Sequence, residues 1–242
     1  SLLKKFKNCQ SISSDEVFEN NFFKDKFKEK KFNLIVNYFY PTNFLDKIES
    51  YQKFYEMCFI NVSKIFDHLE TKKINKIIYS SSSSIYGSIE KKSVYNDPYN
   101  RKLYSSSKIA AEAFIQNYCS HNNIKFVNAR IFNMYGVGDN FSIISKLLQS
   151  NKKKTRILIN NRGESIRDFI YVDDVSLIYK KLLSNKFVGT LDIGSGLGVK
   201  IKNLVTFIGS KNLNVKIKNE FINEEYSAIA DTTKLSKIIN LK

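Results

Sequence analysis

The chain has 242 residues, room for one large domain or two small ones, and 43% of them are hydrophobic, enough for a packed core. Its formal charge of +16 invites a nucleic-acid reading. Against that reading, five of the 39 basic residues are arginine, and the lysines are spread along the chain rather than gathered with aromatics into a stripe.

"FNLIVNYF", from Phe32 to Phe39, reads as a buried strand. Apolar spacing from about Asp46 to Glu70 predicts a helix. "INKIIYS" is again strand-like, and from Tyr104 to Tyr118 the pattern is helical, with Ala110, Ala111 and Ala113 as strong helix formers. "IKFVNARIF" predicts the next strand. "DDVSLIYKKLL" predicts a helix whose leading carboxylates suit the positive end of its dipole. "GTLDIGSG" is a strand closed by a glycine turn. Strands alternating with helices imply an α/β fold, a parallel sheet covered on both faces.

Cys9, Cys58 and Cys119 are odd in number and lack metal-ligand spacing. With His68 and His121 they build no zinc site, so reduced thiols, a cytoplasmic location and no metal are expected. The apolar stretch in "SLLKKFKNCQ" is too short for a signal peptide, and no run of about 18 apolar residues predicts a transmembrane helix.

Ligands of open parallel sheets sit at the carboxyl ends of the strands. There "IIYSSSSSIYG", Ile77 to Gly87, carries five consecutive serines. Five residues followed at once by "IYG" make a poor linker, whereas serines at a strand exit offer hydroxyls to a ligand. Further on, "YSSSK" sets Tyr104 and Lys108 at i and i+4, on one face of a helix. A tyrosine acts as a base only when its pKa falls well below its usual value of about 10. A lysine ammonium one turn away favours the phenolate and is expected to produce that depression.

"YSSSSSIYG", "YSSSK", "ARIFNMYGVGD", "RDFIYVDDV" and "LDIGSG", in this order, resemble the extended short-chain dehydrogenase/reductase family, the NAD-dependent nucleotide-sugar epimerases and dehydratases. The resemblance runs from about Phe32 to the C-terminus and says little about the substrate. It implies a Rossmann-like doubly wound parallel sheet with a smaller, interleaved substrate-binding subdomain. Residues 1–136 would form the dinucleotide-binding part and 137–242 mainly the subdomain, with 167–195 returning to the first part.

By the same resemblance Ser82, Tyr104 and Lys108 form the catalytic set, with Ser81 and Ser83 as neighbours easily confused with Ser82. Ser82 would hydrogen-bond the reacting oxygen, Tyr104 would take the hydroxyl proton, and Lys108 would hold the nicotinamide ribose. Ser80 joins Tyr104 and Lys108 on the cofactor side. Ser83, Asn133 and Arg167 join Ser82 on the substrate side, Arg167 toward a pyrophosphate that a guanidinium fork suits. Arg167 could instead pair with Asp168, Asp173 or Asp174; Arg130 reads as a structural arginine at a strand end, and Tyr86 as a packing residue. The implied cofactor is NAD, NADP remaining open, and the implied ligand a nucleotide-diphosphate sugar. The family's 4,6-dehydratases carry an Asp-Glu pair where Ser83 and Ser84 stand, which favours epimerisation or reduction over dehydration. A homodimer is implied, joined through the helices near Asp46 to Glu70 and Tyr104 to Tyr118, with Ile109, Ala113, Ile115 and Gln116 turned outward.

The sequence departs from the family at its phosphate loop. The first glycine is Gly87, and "SLLKKFKN" looks like the helix that follows the family's glycine-rich loop. An upstream strand and loop are therefore expected, and the chain without them is expected to bind dinucleotide poorly. "IGSGLG", Ile193 to Gly198, mimics such a loop but matches the family's late glycine turn. Tyr38 and Phe39 stand where the family has small residues. Asp15 is the candidate acid for the adenine ribose. The alternatives to an enzyme are a non-catalytic relative that keeps the fold for binding or regulation, and a truncated inactive remnant.

Overall fold

The computed structural model describes residues 8–13, 16, 31–37, 48–89, 99–209, 215–217 and 227–239. Asp15, Tyr38 and Phe39 lie outside them. The main sheet contains β1 (Phe32–Val36), β2 (Ile74–Ser82), β3 (Lys125–Ile131) and, from later in the chain, Gly189–Ile193, side by side in that order and all parallel. β2 is buried almost throughout because both of its faces are covered. Ile77 and Tyr79 point into one cluster with Val62, Phe66, Ala111 and Ile115, while Ile78 points into the other with Val175, Ile178 and Leu182. A strand walled on both sides shows no alternation of apolar and polar residues, as in the consecutive Ile77, Ile78 and Tyr79.

The helices are α1 (Tyr51–Tyr55), α2 (Asn61–Asp67), α3 (Ser84–Ile89) and α4 (Tyr99–His121), followed by α5 (Ile143–Lys153) and α6 (Val172–Ser184). α2 and α4 cover one face of the main sheet and α6 the other. The long helix expected from Asp46 to Glu70 is instead α1 and α2 joined by a π-helical turn, Glu56–Ile60. Such wide turns are rare and alter which side chains face a neighbour. On α4, Ile109, Ala113 and Gln116 are exposed, but Ile115 is fully buried against the sheet, so it belongs to the core and not to an outward face.

The chain leaves β3 through β4 (Asn133–Tyr135), α5, β5 (Ile157–Ile159) and β6 (Ile166–Tyr171). It then re-enters the main sheet through α6 and β7, the strand Gly189–Ile193. β8 (Gly198–Lys200), α7 (Ile201–Gly209), β9 (Val215–Ile217), β10 (Ser227–Ala228) and α8 (Thr233–Ser236) follow. β10, β6 and β4 form a second parallel sheet that β8 extends antiparallel, and β5 pairs with β9.

Two buried charges join these parts. Lys76, 2% exposed, donates from Nζ to the carbonyls of Leu182 at 2.6 Å and Asn185 at 2.7 Å, closing the C-terminal end of α6 onto the sheet. Asp168 in β6 is fully buried. Its carboxylate accepts from Ser195 N at 2.8 Å, Ser195 Oγ at 2.6 Å, Gly196 N at 2.8 Å and Ala230 N at 3.1 Å. It thus ties the second sheet to the turn after β7 and to the segment after β10. Gly194 permits this approach, since a Cβ there would lie 2.6 Å from Asp168 Oδ2 and 2.5 Å from Ala230 Cβ.

Asp168→Ala leaves the buried N–H of Ala230 and the partly buried donors of Ser195 and Gly196 without their acceptor, at about 1–3 kcal/mol for a buried one. Urea unfolding is expected to show a loss of about 3 kcal/mol or more for this variant. Asp168→Asn, which keeps one acceptor oxygen, is expected to lose less.

Candidate active site

The first three serines of the run belong to β2, which continues to Ser82, while Ser83 lies in the turn and Ser84 opens α3. Successive serines therefore face opposite ways. Ser80 Oγ shares a 2.8 Å hydrogen bond with Tyr179 Oη on α6, inside the core. Its hydroxyl is thus committed away from the expected cofactor side, and its carbonyl alone reaches the candidate site. Ser82 ends the strand, where its hydroxyl accepts from Ser84 N at 3.2 Å and hydrogen-bonds the phenol of Tyr104. Ser83 N donates to Ile131 O at 3.0 Å, which fastens this turn to β3.

α4 brings Tyr104 and Lys108 to β2 on one face. Tyr104 is 5% exposed and packs against Phe54 and Cys58, the latter presented by the π-helical turn. Lys108 is 4% exposed; its Nζ donates to Ser80 O at 3.0 Å and lies 4.8 Å from the Tyr79 ring centre and 5.8 Å from that of Tyr104. Burial lowers the Lys108 pKa to about 8, opposed by Cys58 and Glu112, which favour its charge. Burial, reinforced by Cys58, raises Tyr104 above the usual phenol value, while the Ser82 hydrogen bond works the other way. The depression expected from a neighbouring lysine is therefore not found. Desolvation of the phenolate outweighs an ammonium that is itself desolvated and turned toward a carbonyl.

One turn beyond Lys108, Glu112 holds Arg130 through bonds of 3.1, 3.3 and 2.8 Å. Arg130 Nη1 donates to Tyr86 Oη at 3.0 Å, and Tyr86 Oη donates to Asp192 Oδ1. Burial and the Asp192 acceptor raise Tyr86 to about 12, and burial also raises Asp192. Arg130 is thus bound into the fold between α4 and the sheet. Tyr86 packs against Phe132 as well and spans β3 and β7. Beside them opens a cavity of about 460 Å³, lined by Tyr86, Phe132, Asp192, Ala228, Asp231 and Lys234 among others. None of Ser82, Tyr104 and Lys108 lines it.

Asn133 Nδ2 donates to Asp168 O at 2.9 Å and so bridges β4 and β6. Arg167 Nη1 donates to Ile166 O at 2.9 Å, while the neighbouring Asp168 turns inward. Asn133 and Arg167 therefore lie on the second sheet, not within the Ser82, Tyr104 and Lys108 cluster. In the Gly194–Gly196 turn the N–H groups of Ser195 and Gly196 donate to the Asp168 carboxylate, so these two are not available to a pyrophosphate. The sequence offered Asp168 only as an ion-pair partner for Arg167, and Glu112 not at all. For Glu112 the signal was present, because Tyr104, Lys108 and Glu112 stand one turn apart on one helical stripe.

A model of the family described as NAD dependent epimerase/dehydratase matches residues 16–194. An uncharacterized protein of Methanocaldococcus jannaschii is 27% identical over 100% of this chain and 76% of its own length. The dTDP-D-glucose 4,6-dehydratase of Homo sapiens is 24% identical over 90% of this chain and 67% of its own. Among solved structures, a UDP-N-acetylglucosamine 4-epimerase from Methanobrevibacter ruminantium superposes with a TM-score of 0.77 at 20% identity, covering 98% of this chain and 78% of that one. At that identity the likeness speaks for a shared fold. Since the family model spans residues 16–194, well over half of the chain, this protein belongs to the NAD dependent epimerase/dehydratase family.

Proposed function

We propose that this protein is an NAD-dependent nucleotide-sugar 4-epimerase, or a closely related sugar-nucleotide oxidoreductase, working in the cytoplasm. The observation that carries this reading is the Ser82–Tyr104 hydrogen bond at the carboxyl end of β2, with Lys108 one turn along the same helix. Bound NAD would supply the acceptor for hydride from the sugar C4. Tyr104 Oη takes the proton of the C4 hydroxyl, and the Ser82 hydroxyl orients that oxygen. Lys108 would hold the nicotinamide ribose, and it stabilises the phenolate that accepts this proton. Ser83, Asn133 and Arg167 are proposed on the substrate side, Arg167 toward the pyrophosphate. Ser83 and Ser84 supply no carboxylate for eliminating water, which favours 4-epimerisation or reduction over dehydration.

The chain's own residues fit the nicotinamide half of the cofactor, where a buried lysine and tyrosine meet a strand end. They do not fit its pyrophosphate at the glycine turn, whose donors Asp168 occupies. The burial that holds Tyr104 above the usual phenol value favours one second reading, a relative that binds a nucleotide sugar without turning it over. We also propose a homodimer through α1, the π-helical turn and α4. Tyr51, Tyr55 and Ile60 are exposed there, as are Ile109 and Ala113.

Incubation with NAD and a panel of UDP-, dTDP-, CDP- and GDP-hexoses, followed by proton NMR, tests the activity. With NAD in large excess, inversion or oxidation at C4 is expected, and binding without conversion would support the second reading. Tyr104→Phe is expected to reduce turnover by about 10²-fold or more, on the scale of a lost general base, with sugar-nucleotide affinity little changed. Ser82→Ala is expected to lower kcat while leaving KM near the wild-type value. In sedimentation at micromolar concentration the wild type is expected as a dimer and Ile109→Glu/Ala113→Glu as a monomer; a monomeric wild type would remove the interface.

A further inference from the structure

Beneath α4 the main sheet carries an unusual set of polar groups. Register places Tyr79 opposite Asn128 and Ser81 opposite Arg130. All four face α4: Tyr79 lies in the cluster with Ala111 and Ile115, Phe126 on the neighbouring strand shares that cluster, and Arg130 meets Glu112. Tyr79, Ser81 and Asn128 are 0%, 5% and 1% exposed. Tyr79 Oη, Ser81 Oγ and Asn128 Oδ1 have no hydrogen-bonding partner among the described residues. Buried polar atoms are nearly always satisfied, by protein or by ordered water. Three orphaned oxygens on one face of two adjacent strands match the number of polar partners an internal water takes, two to four. Their chemistry is complementary: the phenol can donate, the amide oxygen accepts, and the serine does either.

Lys108 lies directly above this patch, with its Nζ over the Tyr79 ring. The groups facing it are Tyr79 and the Ser80 carbonyl from β2, Tyr104 and Glu112 from its own helix, and Cys58 from the π-helical turn. We propose that Tyr79, Ser81 and Asn128 wall an internal hydration site under Lys108, and that Tyr79 acts through it as a positioning residue that keeps Lys108 protonated. A water held there gives the ammonium a dipole to face in an otherwise desolvated layer. Phenylalanine at position 79 keeps the ring and its packing but removes the group that fixes the water.

The test does not require turnover and therefore stands apart from the proposed reaction. Protein carrying 13C-labelled lysine is titrated by NMR, and the Lys108 Cε signal is identified by its disappearance in Lys108→Met. Tyr79→Phe is expected to lower the Lys108 midpoint by about half to one pH unit, a roughly three- to tenfold loss of proton affinity. Asn128→Leu is expected to move it in the same direction, and it carries the titration should Tyr79→Phe fail to fold. In the wild type, magnetisation transfer between water and the Tyr79 hydroxyl is expected. Unchanged midpoints, absence of that transfer, or a Tyr79→Phe protein more resistant to urea than wild type would each overturn the proposal. The last outcome would mean that the hydroxyl is buried dry.

Discussion

One buried carboxylate ties the second sheet of this protein to its main sheet. Asp168 sits at the middle of β6 and takes hydrogen bonds from the turn after β7 and from the segment after β10. Those three pieces of chain are far apart in sequence, and an anion with several lone pairs can gather them at one point. A charge in that position is strongly unfavourable unless its donors are all delivered, so the geometry is close to all-or-none. Asn133 and Arg167 take their places from the same strand, because β4 pairs with β6 and Arg167 precedes Asp168. The arrangement of the substrate-side candidates therefore depends on the clamp.

The glycine turn acquires its meaning from the same interaction. A run of closely spaced glycines after a strand suits an anion, and here the anion is internal. The turn binds Asp168 for the reason that similar turns bind phosphate: adjacent N–H groups converge and no Cβ stands in the way. Its spacing mimics a phosphate loop while its role is structural.

On the other side of the main sheet, α4 carries three ionisable residues on one stripe. Tyr104 meets Ser82, Lys108 meets Ser80 O, and Glu112 meets Arg130. Burial sets the charge states in this layer. It makes Lys108 easier to deprotonate and Tyr104 harder, the reverse of what a tyrosine base requires at rest. A phenolate here needs additional positive charge or hydration close by, so the polar groups beneath Lys108 bear directly on the chemistry.

Much of the architecture was legible in the sequence. Apolar runs and helical spacing have fixed periods, and their alternation admits few arrangements besides a parallel sheet covered on both faces. The i, i+4 spacing of Tyr104 and Lys108 likewise put both on one helical face, whatever lay opposite. The sequence could not show that β2 continues as far as Ser82 and turns the Ser80 hydroxyl into the core, because five identical residues carry no pattern of facing. Nor could it show the π-helical turn that brings Cys58 to Tyr104, the burial of Ile115, or the capture of the glycine turn by Asp168. Local periodicity determines which elements form. Which polar group meets which depends on residues distant in the chain, and on desolvation that exists only once the layers have closed; the tertiary structure alone decided those partnerships and the charges they favour.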